Sequence, residues 1–154
     1  KPSVTITDRN GKKLSPSSYE IIYKKTGKNV GTYQAQINFR GDYTGSKMIS
    51  YQILPKNCSL RSVKAKKKSF TVRWKKLSTK MPTKRISGYQ VQYSEKPNFS
   101  KSKIKKVSGY KKTSVTIKKL KSKKKYYVRI RTILKSGGKT YYSNWSGSKG
   151  VKAK

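Results

Sequence analysis

Histidine is absent from this chain of 154 residues, and only four carboxylates (Asp8, Glu20, Asp42, Glu95) and one cysteine, Cys58, accompany its 41 Lys and Arg. General acid–base or nucleophilic catalysis needs a His, a carboxylate pair or an activated thiol, and these acids lie too far apart in sequence to form a local motif. The chain is therefore not expected to be an enzyme. The same scarcity leaves no zinc or calcium cage to assemble from local sequence, and no cofactor is expected. Cys58 has no partner for an internal disulfide and no His to activate it, so it reads as a small packing residue. No apolar run approaches the length of a membrane span, and no signal peptide is present, so the chain reads as a mature or excised piece. No Gly-rich loop opens a helix to cradle phosphate.

What is abundant is positive charge, +37 in all, and it is unevenly spread. Residues 1–57 hold ten basic and three acidic residues, whereas residues 58–154 hold 31 basic and one acidic. That shift, with the punctuation at Leu54-Pro55-Lys56-Asn57, divides the chain into a small module at 1–57 and a larger one at 58–154. Partners of so basic a chain are expected to be anionic. Low hydrophobicity with high net charge ordinarily signals disorder. Here the pattern argues for order, because short alternating runs of Val, Ile, Tyr, Phe and Thr recur throughout, with 12 Tyr and two Trp.

In the first module alternation predicts strands at Ser3–Thr7, Tyr19–Tyr23, Thr32–Phe39 and Ile49–Ile53. Asn10-Gly11 suits a tight hairpin, and Gly41-Asp42 with Thr44-Gly45 bracket another reversal. The second module predicts Leu60–Ala65, Phe70–Trp74, Tyr89–Tyr93, Ile104–Val107, Ser114–Ile117, Tyr126–Leu134 and a last strand near Tyr141–Val151. Gly137-Gly138 reads as a hairpin turn. No amphipathic helix stands out, so the fold class is all-β, a sandwich in the second module. In Tyr126–Arg131 the period of two sends Tyr126, Val128 and Ile130 inward and Tyr127, Arg129 and Arg131 outward.

The second module resembles a fibronectin type III domain. The residues that carry the resemblance are Trp74 in "FTVRW", "GYQVQYS" at 88–94, and "LKSKKKYYVRIR" at 120–131, where Leu120 and Tyr126 match the family's tyrosine-corner spacing. "YYSNWS" at 141–146 fits the last connection. In particular it is similar to lysine-rich versions in surface proteins of Gram-positive, Clostridia-type bacteria. The first module supports this, since "NVGTYQAQINFRGDYTG" and "ISYQILPK" resemble a small bacterial Ig-like repeat. Members carry about one more strand before the Lys-Pro seen here as Lys1-Pro2. The resemblance implies a non-catalytic extracellular module, a spacer or binding domain at the bacterial surface or in a secreted protein.

Candidate sites follow from the charge. The densest run is Lys118, Lys119, Lys121, Lys123, Lys124 and Lys125, with Arg129 and Arg131 on the next strand; Lys64, Lys66, Lys67, Lys68 and Lys101, Lys103, Lys105, Lys106 form others. Together they suggest a patch for anionic polymers such as teichoic acid or sulfated glycan, with salt-sensitive affinity from counterion release. The plainer reading is a solvated surface that keeps the protein soluble. Nucleic acid is an alternative partner. Lysine outnumbers arginine 34 to seven, which argues against sequence-specific readout. Tyr127 and one of Tyr141 or Tyr142 remain as surface aromatics for stacking, their neighbours belonging to the core. Trp74 and Trp145 read as core or corner residues. Arg40-Gly41-Asp42 matches the tripeptide that integrins recognise, which gives host-cell adhesion as a further alternative. Its plainer reading is sequence drift in an exposed turn.

Overall fold

The computed structural model describes residues 3–24, 27–77 and 84–154. The chain divides into two compact units, Lys1–Ile53 and Leu54–Lys154. Residues 54–57, read above as punctuation, belong with the second unit. Pro55 and Cys58 are buried there, and the Lys56 carbonyl accepts a 2.8 Å hydrogen bond from Thr132 Oγ1.

The first unit is built on one antiparallel sheet of β1 (Tyr19–Tyr23), β2 (Gly31–Phe39) and β3 (Ser46–Ile53), in that order. Register places Ile21 opposite Ile37 and Ala35 opposite Ile49, so the alternating apolar residues share one face. Ala35 and Ile37 are buried there, and Tyr51 stacks against Tyr33 and meets Tyr23 edge-on. The opposite face leaves Ile22 and Met48 exposed. The strand expected at Ser3–Thr7 does not form. Val4 and Ile6 keep their inward alternation, but pairing stops at an isolated bridge from Thr7 to Lys13. Asp8 is the reason, because its carboxylate accepts the N–H groups of Asn10 and Lys12 at 2.9 Å and turns the chain back locally. The Lys1-Pro2 pair lies outside the described residues.

The second unit closes two sheets over a common core. One sheet orders β4 (Leu60–Lys66), β5 (Ser69–Trp74) and β8 (Ser114–Ile117). The other runs β10 (Lys139–Tyr142), β9 (Lys125–Ser136), β6 (Gly88–Ser94), β7 (Lys103–Ser108), with β11 (Lys149–Lys152) pairing the first part of β9. Rings cross between the layers, Phe70 to Tyr93 and Tyr126, and Trp74 to Tyr89 at 5.1 Å. Tyr89 keeps its polar tip satisfied, since its hydroxyl accepts from the Leu77 N–H and donates to the Tyr110 carbonyl. Gly88 is required where β6 meets β7: an added Cβ would lie 2.2 Å from the Val107 carbonyl oxygen. Gly137 and Gly138, both at positive φ, turn β9 into β10 as expected. Among the described residues there is no α-helix, only a short 3-10 turn at Pro16–Ser18.

The single last strand expected near Tyr141–Val151 is instead two strands with a serine-bridged stretch between them. Ser143 and Ser146 accept the N–H groups of Thr132 and Ile130 through their hydroxyls, and their own N–H groups donate to the carbonyls of those residues. Side-chain oxygens thus replace ladder carbonyls along β9, and regular pairing resumes only at Lys149.

Candidate functional site

Lysines scattered through the sequence meet at one end of the sandwich. The turn from β4 to β5 carries Lys66, Lys67 and Lys68, and the loop from β8 to β9 carries Lys118, Lys119, Lys121, Lys123 and Lys124. Backbone hydrogen bonds tie these to each other and to the chain end: Leu120 N–H to Lys68 O (3.0 Å), Lys123 N–H to Ala153 O (2.9 Å), and Lys68 N–H to Lys154 O (2.7 Å). The ammonium-bearing side chains remain exposed. Lys68, Lys119 and Lys123 adopt positive φ, a conformation that costs an L-residue about 1–2 kcal/mol relative to the right-handed helical region. The turns are therefore held by their surroundings rather than by local preference.

What holds the longer loop is the tyrosine corner. Tyr126 is buried with its hydroxyl accepting the Lys121 N–H at 3.1 Å, and Leu120 is buried beside it. Burial is the main cause of its raised pKa; the Lys121 hydrogen bond opposes the shift and nearby Glu95 adds to it. A cavity of about 310 Å³ opens next to this corner. Lys119 and Lys121 from the corner loop line it together with Lys96, Lys101 and Lys103. Two lysines of a third cluster of the sequence, Lys101 and Lys103, thus join the same end. Lys105 and Lys106 lie farther along β7, paired with Val91 and Gln90, and Lys64 lies on β4 opposite Thr71.

Arg129 and Arg131 stand apart from the loop lysines. Both occupy the outer face of β9, and aromatic rings cover their guanidinium planes: Phe99 (4.0 Å) and Trp145 (4.8 Å) at Arg129, Tyr142 (3.9 Å) and Trp145 (4.2 Å) at Arg131. Trp145 therefore sits between two cations. Gln92 and Gln90, directly across on β6, accept from the two Nε–H groups at 2.7 and 2.6 Å. Burial lowers the pKa of both arginines, with Arg129 adding to the effect at Arg131 and Tyr142 opposing it. Each stacked cation contributes about 0.5–2 kcal/mol, so this ladder stiffens the serine-bridged stretch. The strand period alone placed both arginines outward; the signal for their pairing was the outward Arg-x-Arg together with aromatics at 142 and 145.

The aromatic expectations divide. Tyr126 is core and Tyr127 half-buried with Lys125 over its ring at 5.3 Å. Neither Tyr141 nor Tyr142 is core, since both are half-buried on the short β10. Trp74 is buried at the sheet interface and Trp145 half-buried in the ladder. Cys58 is buried, and burial pushes its thiol up to about 12, which suits packing rather than nucleophilic attack.

Arg40-Gly41-Asp42 does lie in an exposed turn between β2 and β3, with Gly41 at positive φ. Its Arg40 guanidinium pairs with the Glu20 carboxylate of β1. Exposed pairs of this kind contribute about 0–1 kcal/mol, so the contact biases the arginine toward the sheet without locking it there. Among the described residues no group of three or more Cys, Asp or Glu is placed to hold a metal, and no helix is long and apolar enough to cross a membrane.

Residues 55–148 match the family described as Fibronectin type III domain. Among solved structures, the crystal structure of chicken CNTN1 FN1-FN3 domains is 18% identical, with a TM-score of 0.54. That match covers 81% of this chain, which in turn spans 43% of the chicken chain. The fn3 domain of the human collagen alpha-1(XX) chain is 20% identical with a TM-score of 0.48, covering 64% of this chain and 84% of the collagen domain. At such identities the likeness concerns the fold. No curated protein sequence matches the chain.

Proposed function

The chain belongs to the fibronectin type III family, and from that premise we propose that it is a non-catalytic extracellular module of a bacterial surface or secreted protein, a spacer that also adheres to anionic polymers. Modules of this family are generally non-catalytic and occur typically in extracellular proteins. The bacterial setting, and the reading of the first unit as a small Ig-like repeat in the same array, rest on the sequence resemblance described above.

The observation that carries the adhesive part is the meeting of lysines from three clusters at one end of the sandwich. Clustered cations release condensed counterions when they engage a polymer of opposite charge, whereas evenly spread cations mainly confer solubility. Titration with teichoic acid, heparin and DNA over a salt series tests this. Binding should persist near physiological salt, weaken steeply as salt rises, and show no preference for DNA at matched charge density. A preference for DNA at matched charge density would favour a nucleic-acid-binding protein instead. Absence of binding near physiological salt would leave the spacer role alone.

A further inference from the structure

We propose that the cavity beside the tyrosine corner is a subsite for one acidic sugar unit, and that it anchors the polymer adhesion inferred above, on which it rests. Its volume of about 310 Å³ lies at the lower end of the roughly 300–1,000 Å³ usual for small-ligand sites. The cavity suits a unit of one or two rings rather than a length of polymer.

Its lining is mixed in a way that a simple anion hole is not. Lys96, Lys101, Lys103, Lys119 and Lys121 supply cations from separate stretches of chain, while Tyr93, Leu120 and Tyr126 supply apolar wall. Glu95, the one carboxylate of the second unit, is also in the lining, with Tyr126 Oη donating to it at 3.4 Å. A carboxylate weakens a site built only for anions, yet it is an acceptor suited to sugar hydroxyls. The cations would hold a ring carboxylate or sulfate, the glutamate would take ring hydroxyls, and the tyrosine and leucine walls would pack on C–H faces.

One further feature fits. Lys101 and Lys119, both in the lining, are held at positive φ, 50° and 60°. Strained non-glycine backbone of this sort gathers at binding sites, where surrounding structure maintains it.

The test is NMR titration of the whole chain with a sulfated, uronate-containing heparin disaccharide. Cellobiose is the uncharged control, and inorganic sulfate the ringless one. The disaccharide should saturate at one unit per chain, shifting the amides of Ser100 and Lys121, while cellobiose and sulfate bind at least about tenfold more weakly. Lys119→Gln combined with Lys121→Gln should weaken the disaccharide about tenfold. Lys105→Gln with Lys106→Gln removes the same charge from β7 and should change it by about twofold or less. Glu95→Gln should weaken the disaccharide and strengthen sulfate. Equal losses from the two lysine pairs, or sulfate binding as tightly as the disaccharide, would overturn the subsite. Heparin polymer bound without any disaccharide saturation would overturn the subsite and leave the adhesion reading standing. Failure of the polymer itself near physiological salt would end both.

Discussion

The two units solve the same problem with different completeness. The first lays its apolar residues on one face of a three-stranded sheet and leaves Ile22 and Met48 exposed on the other. The second closes two sheets over Phe70, Val72, Tyr89, Val91, Val128 and Ile130, all fully buried. It is the second that carries the charge, since residues 54–154 hold 32 basic residues and one acidic, against nine and three in residues 1–53. Self-repulsion of that size opposes compaction. A core buried from both sides supplies the opposing stabilisation, and the period of two keeps the cations on the outside of it.

The contrast can be broken most directly at the core. Trp74→Ala should destabilise the second unit by about 3–5 kcal/mol, read from the denaturant midpoint, because it removes a ring packed between the sheets. Ile37→Ala should cost the first unit about 2–3 kcal/mol, toward the lower end for such truncations. Equal losses would mean that the first unit is as fully closed as the second.

A smaller difference separates two tyrosine hydroxyls. Tyr126→Phe leaves the Lys121 N–H without its acceptor and should cost about 1–2 kcal/mol. Tyr33→Phe removes an exposed bond to the Asn29 carbonyl and should cost about 0.5 kcal/mol or less. Thermal melts of the two variants provide the comparison, and a larger loss at Tyr33 would reverse it.

Alkaline pH sharpens the same point. Cys58, Tyr89, Tyr93 and Tyr126 all titrate above their ordinary values, burial being the largest cause in each case. Their neutral forms suit the folded state, so the stability they contribute is complete below the ordinary pKa and is lost as pH rises through the folded value. For Cys58 the window runs from 9.0 to about 12. The Cys58 contribution to the second unit's stability should be lost across it, so the unsubstituted chain should lose more stability than Cys58→Ala over the first part of the window. The same pH dependence with and without Cys58→Ala over this range would contradict the burial argument. The smallest effect expected is that of salt: added sodium chloride should raise the second unit's midpoint by more than the first's, through screening of the denser charge. Equal shifts would show that charge is not what separates the units.

Much of the fold was legible because alternation and turn residues are local. Strands such as Ser114–Ile117 and the Gly137-Gly138 turn follow from neighbouring residues alone, and Leu120 with Tyr126 announced the corner. The misreadings arose where side chains compete with backbone pairing. Asp8 ends pairing near Thr7, and Ser143 with Ser146 splits the last strand, and in both cases a polar side chain does what a ladder carbonyl or amide normally does. Arg129 and Arg131 looked like free cations because their cover comes from Phe99, Tyr142 and Trp145, on other segments.

Composition and periodicity were enough to make the chain all-β and to assign an inner and an outer face to core strands such as Tyr126–Arg131. These are properties of single residues and their nearest neighbours. Which lysines act together is different in kind, because Lys66–Lys68, Lys101–Lys103 and Lys119–Lys121 are separated by long stretches of chain. Strand pairing and the tyrosine corner bring them to one end of the sandwich and place a lone glutamate among them. Electrostatic interaction depends on distance in space, so only the folded arrangement could turn a general surplus of charge into a local cluster.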